Sequence, residues 1–157
     1  MAKYDDLDKA IIQYLHRDAR KPSAVIAREL SESPRTIHNR IQRMVDQGIV
    51  QLVAVINPAS FGYHLVVDIY CELEAGYLDQ ALEHILNMPN VTYVAISTGD
   101  QDISLQAIFK DSEEMQVFIT QRLHQVPGMH RTRTVLLPRI LKDTYQWLPP
   151  EEDHQST

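Results

Sequence analysis

The 157-residue chain is poor in cysteine and in glycine, with one and five respectively. A single thiol, Cys71, excludes an intrachain disulfide and a cysteine-built metal site. No apolar run approaches the roughly 20 residues that a membrane-spanning helix needs. The N-terminus, MAKYDDLDK, is acidic and polar where a secretory signal would be basic and then apolar. The expected location is therefore the cytoplasm, away from membranes. Catalytic signatures are missing too: there is no G-x-S-x-G elbow, P-loop or dinucleotide fingerprint. Seven histidines are scattered without an H-x-x-x-H pairing. No metal, no other cofactor and no enzymatic activity are expected.

The net charge of −6 argues against a polyanionic partner until it is divided along the chain. Residues 1–60 carry nine Lys/Arg against seven Asp/Glu, and the remainder six against 14. From Ser33 to Arg43 there are three arginines and no acid. Exposed charges act over about 10 Å at 0.1 M salt, so the local balance governs contact with phosphate.

Periodicity predicts three helices in the first part. The first covers Asp5–Arg17, with Leu7, Ile11 and Leu15 on one stripe and acids at its start. A short second helix begins near Pro22 and buries Ile26, Ala27 and Leu30. After the turn Ser31-Glu32, Ser33 reads as an N-cap and Pro34 as the first helical residue. Ile37, Ile41, Met44 and Val45 form the inner face of the third helix, and Gly48 ends it. The β-branched run Ile49–Ile56 then reads as a strand serving as wing or linker, with Pro58–Gly62 after it.

The second part alternates: strand Leu65–Leu73, helix Leu78–Met88, strands Val91–Thr98 and Ile103–Phe109 joined by a tight turn, helix Glu113–Val126, strand Arg131–Leu137. The segment Asn87–Val91 is echoed 38 residues later by Gln125–Met129, again after a helix and before a strand. The fold class expected is α+β, an N-terminal winged helix-turn-helix followed by a ferredoxin-like βαββαβ domain. The expected division is 1–56 for the helix-turn-helix with its linker strand, 63–147 for the second domain and 148–157 for a disordered tail. Tyr145 and Trp147 are expected to pack on the sheet edge or on a partner subunit.

A major groove about 12 Å wide admits one helix with a polar outer face and an apolar back. On the third helix Arg35, His38, Asn39 and Gln42 follow i, i+3, i+4, i+7 spacing and suit base edges. Arginine forks onto guanine and asparagine onto adenine. Thr36, Arg40 and Arg43 share a flank suited to phosphate, and Ser33 adds the helix N-terminus. Double-stranded DNA is the expected partner.

The segments LDKAIIQYLHRDAR and SPRTIHNRIQRMVDQGIV, followed by a βαββαβ half containing TGDQD and VPGM, resemble the Lrp/AsnC (feast/famine) regulators over residues 5–142. The resemblance implies a DNA-binding transcription regulator with a C-terminal domain that senses a small molecule, usually an amino acid. It also implies homodimers through that domain, assembling into tetramers or octamers. Thr98, Gly99, Asp100 and Asp102 are the effector-binding candidates: a carboxylate would take a ligand's ammonium, while Thr98 and turn N–H groups would take its carboxylate. An ordinary hairpin turn explains the same glycine and aspartates. Two departures stand out. The usual Gly-Leu before the serine is Ser31-Glu32, and the usual Gly-Asp-Tyr-Asp has Gln101 in place of the aromatic. The alternative is a ligand-independent architectural DNA-binding protein, or a sensing or assembly protein, of the same fold.

Overall fold

The structure, a computed structural model, describes residues 4–142. The expectations for Tyr145, Trp147 and the 148–157 tail lie outside the described residues. The chain divides into two compact units, the boundary falling between Val55 and Ile56.

The first unit holds α1 (Asp6–Arg17), α2 (Ser23–Leu30) and α3 (Pro34–Asp46). Asp5 caps α1 in a reciprocal pair: its carboxylate accepts the Asp8 N–H at 3.0 Å, and the Asp8 carboxylate accepts the Asp5 N–H at 3.0 Å. Pro22 stands at the N-cap of α2, one residue earlier than the first-turn position expected for it. Ser31 ends α2 in the left-handed region at φ 57°, which lets the Glu32 N–H reach the Ala27 carbonyl at 2.9 Å. Ile11, Leu15, Ile26, Ala27, Ile37 and Met44 form the buried centre, so each helix contributes the stripe that its spacing predicts.

The expected strand Ile49–Ile56 is not formed. Ile49 and Val50 instead return N–H groups to the Met44 carbonyl at 2.8 and 3.2 Å and pack against the three-helix core. Leu52, Val53, Val55 and Ile56 are exposed. A β-branched run becomes a strand only when another strand completes its hydrogen-bond ladder, and no described strand pairs with this one.

The second unit opens with a 3-10 turn, Pro58–Phe61, and continues as β1 (Leu65–Leu73), α4 (Leu78–Ile85), β2 (Val91–Ile96), β3 (Ile103–Phe109), α5 (Ser112–Gln121), a 3-10 turn at Leu123–Gln125, and β4 (Met129–Leu136). The sheet order is β2-β3-β1-β4 with every neighbour antiparallel, the ferredoxin-like arrangement. Along β3 burial alternates strictly, with Ile103, Leu105, Ala107 and Phe109 inward. They meet Val67, Ile69 and Cys71 of β1, Ala81 and Ile85 of α4, and Phe118 of α5. The Phe109 and Phe118 rings tilt against each other with centroids 5.1 Å apart. Cys71 is fully buried, and that burial pushes its thiol up to about 12.

Both helices of this unit are shorter than periodicity suggests. The Asn87 side chain donates to the Glu83 carbonyl at 2.7 Å, and Met88 bonds back only three residues, so α4 is closed off before Pro89. Arg122 leaves helical geometry at φ −120°, and Val126, restricted by Pro127, is extended. The β2–β3 connection is residues 97–102, a longer loop than the tight turn expected.

Candidate nucleic-acid interface and effector loop

The start of α3 is built by Ser33. Its Oγ accepts the Thr36 N–H at 3.0 Å and lies 2.8 Å from the Thr36 Oγ1, and Pro34 occupies the first turn. With Ile37 and Met44 drawn into the core, the opposite face turns outward. Arg35, His38, Asn39 and Gln42 are all exposed. Gln42 donates to Asp46 at 2.8 Å, which fixes the amide near the helix end. Arg35, His38 and Asn39 form a polar group of differing hydrogen-bonding character, on a helix held rigidly from behind.

Arg40 and Arg43 are placed differently. Arg40 Nη1 lies 3.2 Å from Asp8 Oδ1 and also bonds Asp5, while Arg43 Nη2 bonds the other Asp8 oxygen. Asp8 is completely buried, and its side chain joins α1 to α3. The Arg40 guanidinium, helped by the Asp8 backbone N–H, holds the Asp5 carboxyl down to about 2. Two of the three positive charges in the acid-free segment are therefore matched by acids from α1. The guanidiniums keep partial exposure, 28% and 38% of their side chains, while Arg35 has no such pairing among the described residues. Sequence reasoning assigned Asp5 and Asp8 to the helix dipole alone. The only hint of more was that Asp8 falls next to the inward stripe of Leu7 and Ile11.

In the 97–102 loop Thr98, Gly99 and Asp100 are exposed and Gly99 takes φ 133°, a conformation suited to glycine. Asp102 is engaged in holding the sheet. Its N–H donates to the Cys71 carbonyl at 2.9 Å, its carbonyl accepts from Ser97 at 2.8 Å, and its carboxylate accepts the Leu73 N–H at 2.7 Å. That last bond falls at the irregularity between Glu72 and Leu73, where β1 loses regular register with β4. The loop therefore brings Thr98, Gly99 and Asp100 together at the surface and sets Asp102 apart as a structural ligand of the β1 backbone.

Two family models match the chain: the AsnC-type helix-turn-helix domain over residues 5–45, and the Lrp/AsnC ligand binding domain over residues 65–147. Among characterised and uncharacterised relatives, an HTH-type transcriptional regulator of Pyrococcus horikoshii is 31% identical over 142 residues, 90% of each chain. The HTH-type transcriptional regulator FL11 of Pyrococcus furiosus is 30% identical over 141 residues, 89% of this chain and 93% of that one. Among solved structures, a transcriptional regulator of Neisseria meningitidis in complex with L-Met superposes with a TM-score of 0.87 at 24% identity, covering 96% of this chain and 99% of the other. Escherichia coli AsnC superposes at 0.85 with 23% identity, covering 91% and 97%. With both units matched in order, the chain belongs to the Lrp/AsnC family of DNA-binding transcription regulators.

Proposed function

We propose that this regulator reads specific DNA through Arg35, His38 and Asn39, with Ser33 and Thr36 at the helix start meeting phosphate, and that a small molecule tunes the binding. The exposed outer face of α3 carries this reading, because its back is pinned by the Ile37 and Met44 packing and by the Asp8 bridge. Arg40 and Arg43 act mainly as the pins and reach phosphate with what exposure they retain. The effector is an amino acid held at Thr98, Gly99 and Asp100, with Asp102 shaping the loop. Support comes from the ligand binding domain match and from the L-Met bound to the Neisseria neighbour.

The working form proposed is a cytoplasmic homodimer built through the second unit, residues 63–147, and able to assemble further. Both helices of that unit pack on the sheet face of Val67, Ile69 and Cys71, which leaves Val66, Asp68 and Tyr70 half-exposed on the other. No described helix is long and apolar enough to cross a membrane.

A salt titration of operator binding, repeated with and without each amino acid, tests the reading. Affinity must fall steeply with salt, as phosphate-driven association does, and must shift with at least one amino acid. Salt-independent binding would contradict the DNA role, and indifference to every amino acid would contradict the effector role.

A further inference from the structure

Asp5 uses its two carboxylate oxygens for different partners. Oδ1 accepts the Asp8 N–H at 3.0 Å and caps α1, while Oδ2 accepts from Arg40 Nη1. The cap therefore needs only one of the two oxygens. The same Arg40 nitrogen is also held by Asp8 Oδ1 at 3.2 Å, so α3 stays tied to α1 without the Asp5 contact. The two acids differ in access. Asp8 is fully buried, whereas 54% of the Asp5 side chain is exposed, so a group from solution can replace Asp5 but not Asp8. Arg40 has donors to spare. A guanidinium carries five N–H groups, and only those on Nη1 are engaged among the described residues.

The charge balance turns on the same residue. Arg40 and Arg43 face Asp5 and Asp8, two positive groups against two negative ones, and the segment from Ser33 to Arg43 contains no acid of its own. Without Asp5 the cluster would carry one net positive charge. Its position matters because Arg40 lies four residues after Thr36, which makes the two side chains neighbours on one flank of α3. Thr36 and Ser33 form the start of that helix, where free N–H groups favour an anion.

We propose that Asp5 is a built-in competitor of DNA phosphate for Arg40: its carboxylate occupies the guanidinium in the free protein, gives way to a phosphate oxygen on the duplex, and so lowers affinity for DNA of any sequence. Carboxylate and phosphate are interchangeable partners for an arginine fork. The exchange leaves the Oδ1 cap and the Asp8 bridge in place. Phosphate contacts carry no sequence information, so Asp5 sets the general hold on DNA and leaves discrimination to Arg35, His38 and Asn39. The inference rests on the reading of α3 as the helix that contacts DNA.

Fluorescence anisotropy of the full chain on a mixed-sequence duplex, over a series of salt concentrations, tests it. Asp5→Asn keeps an oxygen for the cap and removes the charge. It binds at least threefold more tightly than wild type at equal salt, and its plot of log affinity against log salt steepens by about 0.9, the value for one further phosphate. Asp6→Asn removes the same charge one residue along, from a carboxylate that engages Lys9 and not Arg40, and changes affinity less than twofold. Adding Arg40→Gln to Asp5→Asn abolishes the gain. Circular dichroism checks that each variant folds; if the double variant does not, the comparison of Asp5→Asn with Asp6→Asn decides. Wild-type affinity and slope in Asp5→Asn overturn the proposal, as does an equal gain in Asp6→Asn or a gain that survives Arg40→Gln. A wild-type chain that binds no duplex at any salt contradicts the DNA reading itself, whereas one that binds and is indifferent to Asp5→Asn contradicts the competition alone.

Discussion

Asp8 of α1, with no solvent exposure, accepts a hydrogen bond from Arg40 of α3 at 3.2 Å and one from Arg43 through its second oxygen. Thirty-two and thirty-five residues separate the partners in sequence. The bridge seats α3 on α1. Removing a single member strands the others, and breaking a buried charge pair in this way costs about 3–5 kcal/mol. Because both guanidiniums retain water, Asp8→Ala is expected to destabilise the first unit by about 3 kcal/mol, the lower end of that range. Urea unfolding followed by helical circular dichroism measures it; a loss under about 1 kcal/mol would mean that the bridge contributes little.

Asp5 makes the same network sensitive to acid. Its folded-state carboxyl lies below its unfolded value, held down to about 2 chiefly by Arg40. The folded form thus binds its proton less readily, and the stabilisation is complete above about pH 4 and lost as pH falls through about 2. Asp5→Asn preserves a capping oxygen and removes the titration. The difference in unfolding midpoint between wild type and variant is expected to shrink as pH drops from 5 to 2. A constant difference over that range would show that the Arg40 pairing does not stabilise the fold.

Ser31 occupies a left-handed backbone position at φ 57° in the turn between α2 and α3. A side chain there costs about 1–2 kcal/mol that glycine avoids, offset in part by glycine's larger entropy when unfolded. Ser31→Gly is expected to stabilise the first unit by about 0.5–1 kcal/mol. The geometry also accounts for the glycine usual at this place in the resembling family. An unchanged or lowered melting temperature in Ser31→Gly would contradict it.

Gly128 is required for two reasons. Its φ is 73°, and a Cβ placed on it would lie 2.2 Å from the Tyr77 Cβ, at the point where its carbonyl accepts the Glu74 N–H. Gly128→Ala must push Tyr77 and the start of α4 away, at about 2–4 kcal/mol from overpacking and backbone strain together. Thermal unfolding monitored at the tyrosine signal reads this loss, and a wild-type melting temperature would rule out the close approach.

The elements were legible in the sequence wherever one period ran long enough to define a face. The Ile37–Met44 stripe and the alternation through Ile103, Leu105, Ala107 and Phe109 both appear as buried surfaces in the structure. Their ends were less legible, because single hydrogen bonds decide them: the Asn87 side chain cuts α4 short, and Arg122 leaves the helix before the apolar pattern stops. The Ile49–Ile56 run has the composition of a strand but no described strand beside it, and composition carries no information about partners. At the candidate sites, the exposure of Arg35, His38 and Asn39 followed from helical spacing. The diversion of Arg40 and Arg43 to Asp5 and Asp8 did not, since only the packing of α1 against α3 brings them together.

The most direct test of the account is the affinity of the full chain for its operator in Arg35→Ala and Asn39→Ala, measured beside a non-specific duplex at fixed salt. Each variant is expected to lose about 1–3 kcal/mol on the operator and much less on the non-specific duplex, while keeping wild-type stability because neither side chain is buried. Wild-type operator affinity in both variants would contradict the assignment of the outward face of α3 as the surface that reads DNA.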